Sequence, residues 1–236
     1  MSALILLKLL LAHVVADFFL QTDRLCRMKN DGREKWKALS LHCAIHAALA
    51  YLLVGRWENW IIPVVIFATH FLTDWLKTSV MKDGIRTFLA DQAIHLVVII
   101  ALWLGLVQDV SMHNVPLMSV FSCQESWAAI IVYALMLKPS SVFLNLLLKR
   151  WEVDIKDKSL PNAGKWIGYL ERMLILTFIL TGNIEGVGFL LAAKSIFRFG
   201  DLTNAKDIKV TEYVMIGTLA SFTIAILSGF LLKLWM

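Results

Sequence analysis

Long apolar stretches recur along this chain, and they constrain its fold more than any other feature. A run of about 17–25 apolar residues spans a bilayer as an α-helix, because a helix satisfies its own backbone groups in hydrocarbon. Eight such runs are legible, at 2–20, 38–54, 60–77, 88–107, 127–148, 166–182, 185–199 and 212–233. The seventh is short and polar, so a six-helix version with a re-entrant tail stands beside the eight-helix one. The expected fold is all-α, a polytopic membrane helix bundle of about eight transmembrane helices (six to eight). One integral membrane domain over 1–236 is expected, with a four-helix part at 1–107 and C-terminal helices at 127–236. The composition agrees, since 58% of the residues are hydrophobic and only 17% charged, against roughly 25% charged in soluble domains. An ordinary soluble enzyme and a disordered chain are thereby excluded. Cys26, Cys43 and Cys123 have no regular spacing, which argues against a disulfide scaffold and a thiolate zinc site. The first run reads as a true span, not a cleaved signal, because His13 and Asp17 interrupt its apolar core.

The net charge of +5 reflects where the basic residues collect. Arg24, Arg27, Lys29, Arg33, Lys35 and Lys37 fall between the first two runs, and Lys77, Lys82 and Arg86 between the third and fourth. Lys149, Arg150, Lys156, Lys158 and Lys165 follow the fifth run, and Arg198, Lys206 and Lys209 the seventh. The alternate loops are nearly free of positive charge, and 108–126 contains neither Lys nor Arg. The positive-inside rule then places the basic loops in the cytoplasm and both termini outside. Nucleic-acid binding is not expected. The partners expected are the bilayer, a small-molecule or lipid substrate, and further copies of the chain in a homo-oligomer.

Each of the first four runs carries two metal-capable side chains four residues apart. These are His13 and Asp17, His42 and His46, His70 and Asp74, and Asp91 and His95. A spacing of four puts both groups on one helix face, one turn apart. Five of the six histidines have an Asp or His at this spacing, where chance predicts fewer than one; His113 is the exception. With the basic loops inside, all eight groups fall at one depth, in the cytoplasmic leaflet. Ionisable groups there cost several kcal/mol unless they pair, ligate or line a wet cavity. A divalent transition metal supplies the compensation, and eight ligands suffice for two. Imidazole and carboxylate donors suit Zn, Mn, Fe or Ni. Gln21, Thr73 and Gln92 are candidates to orient the ligands by hydrogen bonding. The plainer alternative is a His–Asp hydrogen-bond network that holds the helices together without metal.

The C-terminal half holds a second group of charges near the inner leaflet. Arg172, Lys194 and Arg198 are candidate substrate-binding residues for a phosphate or carboxylate. Against this stand snorkelling of Arg198 and ion pairing with Glu171 and Glu212. Lys138-Pro139-Ser140-Ser141 interrupts the fifth run at mid-membrane, where proline kinks or breaks a helix.

The motifs His13-x3-Asp17-x3-Gln21-Thr22-Asp23-Arg24, His42-x3-His46, His70-Phe71-x2-Asp74 and Asp91-Gln92-x2-His95 together resemble an uncharacterised domain-of-unknown-function family of bacterial and phage inner-membrane proteins. Gly168-Tyr169-Leu170-Glu171-Arg172, Ala193-Lys194-Ser195-x2-Arg198-Phe199 and Glu212-Tyr213-x3-Gly217-Thr218 resemble it too. The resemblance implies identity rather than mechanism. The His and Asp content near helix ends is also loosely similar to inner-membrane metal-dependent hydrolases.

The leading functional expectation is a membrane-embedded metal-dependent hydrolase acting on a phosphoester at the cytoplasmic face. One of Asp17, Asp74 and Asp91 serves as its catalytic base, and the eight His and Asp groups are its metal ligands. The alternatives are a metal- or proton-coupled transporter, or a non-catalytic membrane partner whose His–Asp cluster is structural.

Overall fold

The computed structural model describes residues 2–30, 34–80, 84–108, 123–151, 162–199 and 208–236. Most of the loop 108–126, with His113, lies outside the described residues, as do Arg33, Lys82, Lys156, Lys158, Lys206 and the side chain of Arg198. Among the described residues the fold is all-α, with no strand. The order is α1 (Ser2–Val14), continued without a break by a π-helical segment (Val15–Leu20), then α2 (Asp23–Asn30), α3 (Lys35–Val54), α4 (Ile61–Val80) and α5 (Ile85–Gln108). There follow α6 (Gln124–Met136), α7 (Lys138–Leu148) with a 3₁₀ turn (Lys149–Trp151), α8 (Ala163–Leu180), α9 (Ile184–Phe199) and α10 (Ile208–Trp235). Among the described residues six helical stretches are long and apolar enough to cross a membrane: Ala3–Leu20, Lys35–Val54, Ile61–Ser79, Ile85–Leu106, Gln124–Trp151 and Ile208–Trp235. By length and composition this is a membrane protein. The sixth and seventh runs form α8 and α9, whose 18 and 16 residues carry Lys165, Glu171, Arg172, Glu185 and Lys194 and stay outside that set. The helices form two compact units, Met1–Ile131 and Val132–Met236, with the division inside α6.

In the first unit, each long helix buries one stripe and shows lipid-type residues elsewhere. The stripe is Leu9, Ala12, His13 and Ala16 on α1 and its continuation, and Leu39, His42, Cys43, His46, Ala50 and Val54 on α3. On α4 it is Ile62, Ile66, His70 and Asp74, and on α5 Asp91, His95, Ile99, Leu102 and Leu106. These steps of three and four residues make one helical face. On α1, α4 and α5 the polar pair sits toward one end of the stripe and the apolar residues at the other, while on α3 Leu39 also lies one turn before His42. The apolar ends meet in a core that includes Leu9, Ala12, Ala50, Ile66, Ile99 and Leu102. Small residues such as Ala12, Ala47 and Ala50 let the backbones approach, the usual packing device where lipid is as apolar as the core. Leu41, Leu52, Val64, Leu72, Val97 and Leu104 point outward. α3 ends at Gly55, whose φ of 72° closes the helix with its N–H on the Tyr51 carbonyl.

In the second unit, α8 packs against α10 and α9 against α8. Gly229 makes the first contact possible, since a Cβ there would lie 2.9 Å from Ile179 Cδ1. The fifth span is broken at Leu137, and Pro139 explains why. Its ring cannot accommodate the carbonyl four residues back, and its nitrogen has no proton to give it. That carbonyl, on Leu135, accepts instead from Ser140 Oγ at 2.6 Å. The next carbonyl is taken by a side chain of α8, which also reaches the one after it, where the Ser141 N–H already donates at 3.3 Å. Arg172 donates from Nε to the Met136 carbonyl at 2.5 Å and from Nη2 to the Leu137 carbonyl at 3.4 Å. It also donates to Ser221 Oγ at 3.0 Å and Ser141 Oγ at 2.8 Å.

The segment 21–37, expected as a loop, contains α2. Thr22 Oγ1 accepts from the Leu25 N–H at 3.3 Å, a side-chain cap at the helix start. Leu25 and Lys29, one turn apart, are its buried residues, while Arg24 and Arg27 are exposed.

Candidate metal centre

The polar ends of the four stripes converge. His13 and Asp17 come from α1 and its π-helical continuation, His42 and His46 from α3, His70 and Asp74 from α4, and Asp91 and His95 from α5. Asp17 occupies one side of the cluster. Its Oδ1 lies 3.1 Å from His46 Nε2 and 3.2 Å from His42 Nε2. Its Oδ2 accepts from Gln92 Nε2 at 2.9 Å and stands 3.6 Å from His13 Nε2. On the other side, His95 Nε2 is 3.5 Å from Asp91 Oδ1 and 3.9 Å from Asp74 Oδ1. His42 Nε2 joins the sides, 3.4 Å from Asp74 Oδ2. The imidazoles of His46 and His70, and of His70 and His95, have ring centroids 4.2 Å apart.

Among the described residues three sets of side chains have ligand atoms close enough to share an ion, each set within 4.8 Å: His13, His46 and His70; Asp17, His42 and His46; and Asp74, Asp91 and His95. All eight residues singled out by spacing belong to at least one set. Two further features fit a cation. The Nδ1 atoms of His42 and His95 are buried without a hydrogen-bond partner. The proton count along His13 also falls short. His70 Nδ1 faces the Ile66 carbonyl at 3.0 Å, which only accepts, so Nδ1 carries the His70 proton and Nε2 is bare. His13 lies between that bare nitrogen, 3.3 Å from its Nδ1, and the Gln92 carbonyl oxygen, 3.3 Å from its Nε2. A neutral His13 has one proton for two acceptors, and either a second ring proton or a cation between the facing atoms makes up the difference.

Two lysines complete the cluster, and neither was singled out as a site residue from the sequence. Lys29 Nζ lies 2.6 Å from Asp74 Oδ2, and Lys77 Nζ lies 2.6 Å from Asp91 Oδ2. Lys77 was legible: His70, Asp74 and Lys77 follow each other at four and three residues along one face of α4. Lys29 had no such signal, because it arrives from α2. Of the three candidate orienting groups, Gln92 bridges Asp17 and His13. Gln21 donates to Cys26 Sγ at 3.1 Å. Thr73 donates to the Thr69 and His70 carbonyls of its own helix.

The candidate substrate-binding residues lie in the second unit. Arg172 is 2% exposed and bound to the helix break as described. Lys194 pairs with Glu171 at 2.6 Å and lies over the Phe222 ring at 5.7 Å.

Comparison with known proteins places this arrangement in a family. Residues 5–123, half of the chain and the part that contains all eight groups, match the model of a family described as "Protein of unknown function (DUF3307)". The chain belongs to that family. No curated protein and no solved structure matches it. The family's matched region coincides closely with the His–Asp unit, so the cluster lies in the part of the molecule that defines membership.

Proposed function

We propose that this protein is a membrane-embedded metal-dependent hydrolase, acting on a phosphoester from the cytoplasmic face of a bacterial inner membrane. The observation that carries the reading is the convergence of eight ligand-type side chains from four helices on one buried cluster. Asp17, His42 and His46 offer a two-histidine, one-carboxylate set of the kind used by catalytic zinc and iron sites. Bound there, a divalent ion supplies Lewis acidity and an acidified water. The protein's part is to hold the ligands, through Gln92 on Asp17 and the lysines on Asp74 and Asp91, and to provide an aspartate as proton acceptor. Among the eight, Asp17 has the most exposed side chain, at 11%, and Lys77 beside Asp91 is 32% exposed. This edge is where water or a headgroup phosphate enters. The basic loops adjoining it give the cytoplasmic orientation under the positive-inside rule.

The transporter reading is weaker because the apolar core of Leu9, Ile66, Ile99 and Leu102 caps the cluster. A transported ion finds no polar continuation there. A structural network without metal is favoured by one observation, the lysine partners that already neutralise two of the three aspartates. Metal content decides between these. Untagged protein purified in mild detergent is expected to contain a transition metal that His42→Ala/His46→Ala lacks, and to release phosphate from a phosphoester panel. Absence of metal from the intact protein leaves the structural network as the better account. Metal without any turnover removes the hydrolase and keeps the metal centre.

A further inference from the structure

The charges of the cluster are unevenly distributed, and the unevenness bears on how many metal ions it takes. Among the described residues no lysine or arginine pairs with Asp17; its partners are His13, His42, His46 and Gln92. Asp74 and Asp91 are each held at 2.6 Å by a lysine. With the imidazoles neutral, as metal ligation requires, the Asp17 side carries one net negative charge. The Asp74–Asp91–His95 side carries none. A divalent ion at Asp17, His42 and His46 leaves one positive charge in excess. A second at Asp74, Asp91 and His95 raises the excess to three, at a site whose side chains are 1–7% exposed. Uncompensated buried charge on that scale is prohibitive, whereas an anion arriving with the second ion removes most of it.

We propose that the centre binds one divalent ion by itself, at Asp17, His42 and His46, and accepts the second only together with an anion, because Lys29 and Lys77 hold the charge that a second ion would otherwise balance. The geometry supports this division of labour. Each lysine takes Oδ2 of its aspartate, and the opposite oxygen, Oδ1, faces His95 Nε2. The lysines thus leave one carboxylate oxygen directed to the second metal position while neutralising the group that supplies it. The anion that suits two cations and two ammonium groups is a phosphate, free or part of an ester. Binding of the second metal and of phosphate is then reciprocally coupled. This rests on the metal-centre reading of the cluster.

The test is a titration of metal-free, full-length protein in detergent with Mn²⁺, followed by electron paramagnetic resonance, with and without millimolar inorganic phosphate. Wild type is expected to bind one Mn²⁺ alone. With phosphate it is expected to bind two, with a spin-coupled signal and about tenfold or more tighter second-site binding. Lys29→Met/Lys77→Met is expected to bind two without phosphate, and Lys29→Arg/Lys77→Arg to behave as wild type, which controls for folding. Two ions in wild type without phosphate overturn the proposal while leaving the metal centre intact. So does a Lys29→Met/Lys77→Met variant that still needs phosphate. No Mn²⁺ in any sample overturns the metal-centre reading itself. Replacing inorganic phosphate by vesicles containing phosphatidic acid separates a lipid headgroup from a free phosphate as the source.

Discussion

Asp17 is the residue on which the candidate centre depends most. It is the one aspartate of the three whose described contacts are all with imidazoles and an amide, so its charge is available to a metal. Asp17→Asn keeps the volume and the Gln92 contact but removes that charge. The expected result is loss of the metal by mass spectrometry with helical content unchanged by circular dichroism. Gln92→Ala removes only the group that orients Asp17 and His13, so a smaller loss is expected, about 10–100-fold in metal affinity. Equal losses for the two variants would mean that Gln92 is itself a ligand. A purely structural residue makes a useful contrast. Gly229→Ala puts a methyl group against Ile179 at the α8–α10 contact, and overpacking of this kind costs about 1–3 kcal/mol. Its thermal midpoint in detergent is expected to fall while metal content stays at the wild-type level.

At the scale of elements, two irregular segments do work that a regular helix would not. The π-helical stretch Val15–Leu20 carries Asp17 and closes with the Gln21 N–H on the Ala16 carbonyl at 3.1 Å. Such segments are rare and tend to occur at functional sites. Nothing in the residue types of 15–20 announces it, because the register of the hydrogen-bond ladder is settled by what the helix packs against. The break between α6 and α7 was legible from Pro139, but its partner was not. The sequence left Arg172 with two readings, an anion site or a paired charge. In the fold it donates to the Met136 carbonyl that the break leaves over, and joins the Ser141 N–H on the Leu137 carbonyl. Arg172→Met therefore leaves the buried Met136 carbonyl unsatisfied and is expected to cost about 1–3 kcal/mol. In a Pro139→Ala background the restored N–H can reach the Leu135 carbonyl and let the helix close across the break. The same arginine substitution is expected to cost less there, and a double-mutant cycle of thermal stability reads the difference. Strict additivity would show that Arg172 and the break act independently.

For the whole molecule, orientation is the property that the positive-inside argument predicts and native cysteines can test. Cys26 lies on α2 at the basic end, and Cys123 is exposed just before α6. A membrane-impermeant thiol reagent applied to the outside of intact cells is expected to modify Cys123 and spare Cys26 until the membrane is opened. The reverse pattern would invert the orientation and move the metal edge to the outer face.

Six of the apolar spans and the eight His and Asp ligand candidates were legible in the sequence alone, because both are local. Apolar length and a spacing of four refer only to a single helix and its solvent. The paired residues of each helix share a face wherever that helix is placed. Tertiary structure decided what the faces meet. It brought Lys29 from α2 onto Asp74, set the unequal charge of the cluster's two sides, and bound Arg172 to the helix break. Those contacts join residues between 31 and 49 positions apart. Periodicity has no memory over that distance; what fixes such contacts is the high cost of leaving a buried charge or carbonyl without a partner.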